Sequence, residues 1–165
     1  MPTLIRAVVI TVSDACSRGE RKDESGETLV QLLKEAGAEI VAAKIVSDDL
    51  VPLADTLRNF ADRAEVNLII TTGGTGFGPR DNTPEATLQV IERAAPGLSE
   101  AMRMETLKHT PMAMISRGVC GIRCGTLIIN LPGSPKGVCE SFAVIENVLG
   151  HAVSLLAGRA GGDLH

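Results

Sequence analysis

The sequence predicts an α/β fold with a mostly parallel sheet, and three observations carry that prediction. Short apolar runs alternate with helical patterns from Ile5 to Ala94, in the order strand, helix, strand, helix, strand, helix. The strands of this part end in polar turns, at Ser13-Asp14, at Ser47-Asp48-Asp49 and at a glycine loop beginning at Gly73. Further on, two β-like runs, Val119 to Cys124 and Thr126 to Leu131, meet at Gly125. That spacing predicts a tight hairpin, and hence an antiparallel edge strand or a mixed sheet.

Each element follows from its own pattern. Ile5 to Val12 is almost wholly apolar, as a strand buried on both faces must be. Polar residues 13–25 make a loop longer than a plain connection needs. In Gly26 to Ala36, Leu29, Leu32, Leu33 and Ala36 form one apolar helical face, which Gly37 ends. Glu39 to Val46 is the next strand, and Pro52 to Ala64 a helix with Leu53, Leu57, Phe60 and Ala61 on one side. Val66 to Ile70 reads as the third strand and Pro84 to Ala94 as a helix, with Thr83 as N-cap and Pro84 at the first helical position. Leu98 to Lys108 is helical; so is the segment after Pro132–Gly137, where Val138, Phe142, Ile145 and Leu149 recur at helical spacing. The polar, glycine-rich end, residues 157–165, reads as a frayed tail of one domain that spans 1–165.

Composition excludes several classes of function. The net charge is −4, Trp and Tyr are absent, and only Phe60, Phe77 and Phe142 are aromatic. No cationic track or row of stacking rings is available for nucleic acid. No apolar run approaches the ~20 residues of a membrane span, and no leader pattern opens the chain, so a cytoplasmic protein with no membrane partner is expected. Cys16, Cys120, Cys124 and Cys139 lack paired zinc spacing, and His109, His151 and His165 do not complete a site.

The loop Gly73-Gly74-Thr75-Gly76-Phe77-Gly78-Pro79-Arg80-Asp81 stands between a strand and a helix. It is not a Walker A loop, because Pro79 follows Gly78 where lysine is required, and Pro offers neither ammonium nor N–H. Nor is it a dinucleotide fingerprint, since Pro79 again replaces the last glycine. Backbone N–H groups freed by glycine, a helix N-terminus and Arg80 still make it equipment for binding a phosphate or a carboxylate. In a parallel sheet this loop, Ser13-Asp14 and Asp48 lie along one edge and converge; Pro132 to Lys136 follows a strand end as well.

These motifs together resemble the MoaB/Mog family of molybdenum-cofactor biosynthesis proteins over nearly the whole chain. Ser13-Asp14, Ser25-Gly26, Asp48, Thr71 to Ala86, Ser116-Arg117 and Leu131 to Gly137 match that family in order. The resemblance implies a three-layer α/β/α domain assembled as a homotrimer. It also implies Mg²⁺-dependent adenylylation of molybdopterin by ATP, with release of pyrophosphate and hand-over to a molybdenum-inserting partner protein. A molybdopterin carrier of the same fold is the alternative. Asp48 and Asp81 take the family's catalytic and Mg²⁺-holding positions. Ser13, Asp14, Gly73, Gly74, Thr75, Gly76, Arg80, Ser116, Arg117, Pro132, Gly133, Ser134 and Lys136 take its ligand-binding positions. Each has a plainer reading: Asp48 or Asp49 as a helix cap, Asp81 as a turn residue, Lys136 as a solvated helix start. Ala15 stands where the family often has arginine, and Asn82 where it usually has valine.

Overall fold

The computed structural model describes residues 2–158. A six-stranded sheet forms its centre, in the order β2-β1-β3-β6-β5-β4. The strands β1 (Arg6–Val12), β2 (Glu39–Val46), β3 (Leu68–Thr72) and β6 (Thr126–Leu131) run parallel; β5 (Cys120–Arg123) and β4 (Arg93–Ala94) are antiparallel additions at one edge. The sheet is thus mixed, as the Gly125 hairpin required.

Alternation along the buried strands sorts the core onto two faces. Ala7, Val9, Leu68 and Ile70 meet Leu29 and Leu33 of α2 (Glu24–Glu35), Met102 of α5 (Pro96–Thr106), and Phe142, Ile145 and Leu149 of α6 (Pro135–Leu156). Val8, Ile10 and Ile69 meet Leu53, Leu57 and Phe60 of α3 (Leu50–Ala61) and Val90 of α4 (Thr83–Val90). Helices therefore cover both faces of the sheet, in three layers. By length and composition α6 could cross a membrane, with a mean hydropathy of 1.2. Here the stripe Val138, Phe142, Ile145, Leu149 and Val153 is spent on the core instead.

Several boundaries differ from the sequence expectation. The loop 13–25 contains a short helix, α1 (Asp14–Ser17), capped by Ser13, and α2 begins at Glu24 because Asp23 accepts from the Gly26 N–H. The helix expected to reach Ala94 stops at Val90. Ile91 turns extended, Glu92 N–H donates to the Ile122 carbonyl and Ala95 N–H to that of Cys120, so the free edge of β5 captures this segment as β4. The N-cap of α4 is Asn82, not Thr83. The expected frayed tail falls almost wholly outside the described residues.

Candidate functional site

Carboxylates gather where the parallel strands end. Backbone and side chain of two loops clip each other: Asp14 N–H donates to Asp48 Oδ2 at 2.9 Å, and Asp48 N–H donates to Asp14 Oδ1 at 3.0 Å. Arg80 closes the group from the glycine loop. Its Nε donates to Asp14 Oδ2 at 2.7 Å, and its Nη2 to Asp14 Oδ1 at 3.0 Å and Asp49 Oδ1 at 2.9 Å. The strand order explains this convergence, since the chain crosses from β1 to β2 on one side and then from β2 back past β1 to β3 on the other.

The two clipped aspartates have opposite electrostatic character. The Arg80 guanidinium beside Asp14 holds its carboxyl down to about 2. Arg80 likewise lowers Asp49, which stands at the N-cap of α3 yet makes no capping bond. Burial pushes Asp48 up, against the Asp14 N–H that pulls it down, and the charges of Asp14 and Asp81 add to the rise. A carboxylate under such pressure gains from a cation.

Glycine is required where the loop leaves β3. Gly73 and Gly74 have φ of 99° and 69°; a Cβ on Gly73 would run into the Val12 carbonyl, and one on Gly74 into the Thr83 hydroxyl. Among the described residues the N–H groups of Gly74, Thr75 and Gly76 donate to nothing, leaving three adjacent donors open to an anion. The far side of the loop is braced by Arg117, whose N–H donates to Thr75 O at 2.8 Å, Nε to Gly76 O at 2.7 Å and Nη2 to Asp81 O at 2.8 Å, while Nη1 pairs with Glu85 at 2.7 Å. Asp81 Oδ2 in turn accepts from Gly78 N–H at 2.8 Å.

Two cavities open on either side of this loop. One, about 690 Å³, is lined by Ser13, Asp48, Gly73 and Ser25 together with Arg21 and Lys22. The other, about 600 Å³, has apolar walls from Met102, Met112, Ala113 and Ile115, and includes Thr75, Gly76, Ser116, Pro132 and Lys136. Gly74, Asp81, Gly133 and Ser134 line both. The expected site residues are thereby brought together, with two qualifications. Asp14, Arg80 and Arg117 line neither cavity; the first two are engaged with each other and the third braces the loop. Lys136 is exposed and only loosely paired with Glu140, at 3.9 Å.

Other groups at the site were given no role by the sequence reading. Asp23 accepts from Thr11 Oγ1 at 2.7 Å and from Gly26 N–H at 2.9 Å, so its capping position three residues before Gly26 was the available signal. Ser25 Oγ donates to Gly133 O at 2.6 Å and Thr72 Oγ1 to Pro132 O at 2.6 Å, fixing the loop after β6. Asn82 Nδ2 donates to Asp48 O at 2.9 Å. Its side chain reaches across to the second loop rather than capping its own helix, and no local pattern reveals that.

Parallel strands whose ends hold a glycine nest, clipped carboxylates and two adjoining cavities define an α/β protein with open anion donors at its strand-end edge. Residues 8–151 match a family model described as a probable molybdopterin binding domain. The chain belongs to that family of molybdenum cofactor biosynthesis proteins. It is 38% identical over 153 residues to a molybdopterin adenylyltransferase of Helicobacter pylori, covering 92% of this chain and 87% of that protein. It is 48% identical over 149 residues to the molybdenum cofactor synthesis protein cinnamon of Drosophila melanogaster, which covers 90% of this chain but only 25% of the Drosophila protein. The fold matches the crystal structure of the molybdopterin biosynthesis enzyme MoaB from Thermus thermophilus with a TM-score of 0.88 and 47% identity, over 94% of this chain and 98% of that one.

Proposed function

We propose that this protein transfers the adenylyl group of ATP to molybdopterin, a step of molybdenum cofactor biosynthesis that releases pyrophosphate. It is a nucleotidyltransferase of the molybdopterin adenylyltransferase kind. Family membership and the identity to the Helicobacter enzyme over 92% of the chain support this reading. Within the molecule, one observation carries it: two cavities adjoin along Gly74, Asp81, Gly133 and Ser134. Direct transfer between two substrates needs two seats and a common boundary where the reacting groups meet.

In the reaction an oxygen of the molybdopterin phosphate attacks the α-phosphorus of ATP. A new P–O bond forms as the bond to the β-phosphate breaks, and its electron pair leaves with pyrophosphate. Charge on the phosphate oxygens is the main obstacle. The open N–H groups of Gly74, Thr75 and Gly76 would meet it from the backbone. Ser13, Gly73, Pro132, Gly133, Ser134, Ser116 and Lys136 would complete the seats. Asp14 would hold Asp48 in place, Arg80 would hold Asp14, and Arg117 would keep the glycine loop in shape. A phosphate that reached Arg80 would have to displace a carboxylate.

Mg²⁺ fits the residues present. Asp48 and Asp81 both line the larger cavity, and burial leaves Asp48 in want of a positive neighbour. No third acidic, His or Cys group joins them among the described residues, which suits an ion that takes one or two carboxylates and completes its shell with phosphate and water. When bound, Mg²⁺ would neutralise phosphate charge. The same reading takes the chain as one domain and as a subunit of a cytoplasmic homotrimer that hands its product to a molybdenum-inserting protein.

The test is pyrophosphate release from molybdopterin and Mg-ATP. Asp48→Asn and Asp81→Asn should each slow turnover at least ~100-fold, the scale of losing one transition-state electrostatic contact, with pterin binding little changed. Full turnover in both variants would overturn the assignment; pterin binding by the wild type with no pyrophosphate release would make the protein a carrier.

A further inference from the structure

We infer that Glu140 is a specificity-determining residue of the apolar-walled cavity, where its carboxylate accepts the paired N–H groups of a 2-amino-4-oxopyrimidine ring. That cavity then seats the pterin and the larger one the nucleotide, an assignment that rests on the adenylyl-transfer reading.

Glu140 stands in the second turn of α6, with its side chain 17% exposed. It lines the cavity of about 600 Å³ whose walls include Met102, Met112, Ala113 and Ile115. Asp23, Asp48 and Asp81, which also line the cavities, are each held by donors of the protein: Asp23 by Thr11 and Gly26, Asp48 by Asp14, Asp81 by Gly78. Glu140 has no such donor among the described residues, and Lys136 approaches it only to 3.9 Å, beyond hydrogen-bond distance, from a side chain that is 82% exposed. A carboxylate so enclosed and without a donor costs the folded state stability. Its unmet demand is for N–H groups that enter the cavity.

The shape of that demand identifies the ring. A carboxylate presents two oxygens side by side and pairs best with two parallel N–H groups, as it does with a guanidinium. The pterin ring has that edge in its 2-amino group and the neighbouring ring N–H. Adenine lacks it, because beside its amino group stands a ring nitrogen whose lone pair would face the second carboxylate oxygen. Thioethers and methyl groups pack well on the flat faces of such a ring, and a few polar groups in an apolar cavity fix its orientation. The place along the helix is suitable too. Glu140 follows Ser134, the N-cap of α6, by about 9 Å at the helical rise, so a ring held there leaves space for its phosphate-bearing arm to reach the boundary at Gly133 and Ser134. In the larger cavity Arg21 and Lys22 offer cations to the phosphate chain of ATP.

The test is binding by wild type and Glu140→Gln, as full chains, titrated calorimetrically with molybdopterin and, separately, with AMP, and melted without ligand. Glutamine keeps the volume and one acceptor but turns an N–H toward the pterin amino group. Glu140→Gln should bind molybdopterin at least ~10-fold more weakly, the scale of losing a charge-assisted bond, and AMP within about twofold, at an unchanged melting temperature. A second readout separates recognition from packing: displacement of molybdopterin by 6-carboxypterin and by its analogue with oxygen in place of the 2-amino group. Wild type should prefer 6-carboxypterin, and Glu140→Gln should lose or reverse that preference, because an amide can donate to the added oxygen. Molybdopterin affinity within about twofold of wild type would overturn the inference, as would a loss confined to AMP, or both affinities falling together with the melting temperature. An equal effect of the two analogues on the wild type, including none, would overturn it too. Wild-type protein that binds no molybdopterin would overturn the adenylyl-transfer reading and this inference with it.

Discussion

Asp14 and Asp48 each donate a backbone N–H to the other's carboxylate yet face opposite environments, and that asymmetry divides their labour. Asp14 is matched by Arg80 and belongs to the scaffold, while Asp48 is raised by burial and lacks a cation of its own. The sign for Asp14 follows directly. Its unfolded carboxyl titrates near ~3.9 and its native one at about 2, so the pairing stabilises fully above about pH 4 and is lost as the pH falls through about 2. In Arg80→Gln, an NMR titration should return Asp14 toward the ordinary range; an unmoved titration would show that Arg80 is not the cause. Asn82 provides the second handle, because its Nδ2 holds the Asp48 carbonyl. Asn82→Ala should lower kcat about tenfold, the effect of ~1.4 kcal/mol in positioning, with stability within ~1 kcal/mol. Unaltered kcat would show that the Asp14 clip suffices. The sequence exposes Asn82 only as a departure from a family pattern, because its partner lies in another loop 34 positions away.

Elements were legible where the period of their apolar residues was clear, and less so where neighbouring elements compete for the chain. Leu29 and Leu33, or Leu53 and Leu57, mark faces that pack as expected. Residues 91–94 read as helix because Glu92, Arg93 and Ala94 favour it locally; the carbonyls of β5 win the segment as a strand, which only the assembled sheet reveals. The hairpin shows the opposite case. Gly125 announced the turn, and the structure adds that Cys124 shares it, with φ of 49° beside 79° for Gly125. Two positive φ values define a type I′ turn, whose first place suits Asn far better than Cys. Cys124→Asn should therefore raise stability by ~0.5 kcal/mol, read as a higher urea midpoint at unchanged slope. The Cys124 N–H bond to the Glu92 carboxylate, at 2.7 Å, uses only the backbone of Cys124 and survives the change. A lower midpoint would mean that the thiol contributes something its exposure does not suggest.

At the scale of the whole molecule, the parallel order β2-β1-β3-β6 brings four loops to one edge, and the glycine loop divides the space above them into two cavities. Much of this edge was legible, because strand ends in a parallel sheet must share it. The division was not, since Ser99, Met102 and Ile115 lie in segments with no motif and meet the site only through packing. The division constrains kinetics. Reacting groups that meet over Gly74, Asp81, Gly133 and Ser134 can transfer the adenylyl group directly, so both substrates must be bound before any bond breaks. Initial rates measured against ATP at several fixed molybdopterin concentrations should give intersecting reciprocal lines. Labelled pyrophosphate should not exchange into ATP when the pterin is absent. The competing route, an adenylylated side chain, has one thiol to consider, because Cys16 also lines the larger cavity. It predicts parallel lines, pterin-independent exchange and loss of both in Cys16→Ser. With direct transfer, Cys16→Ser should turn over within about twofold of wild type, since a thiol that touches neither phosphate nor metal contributes only packing.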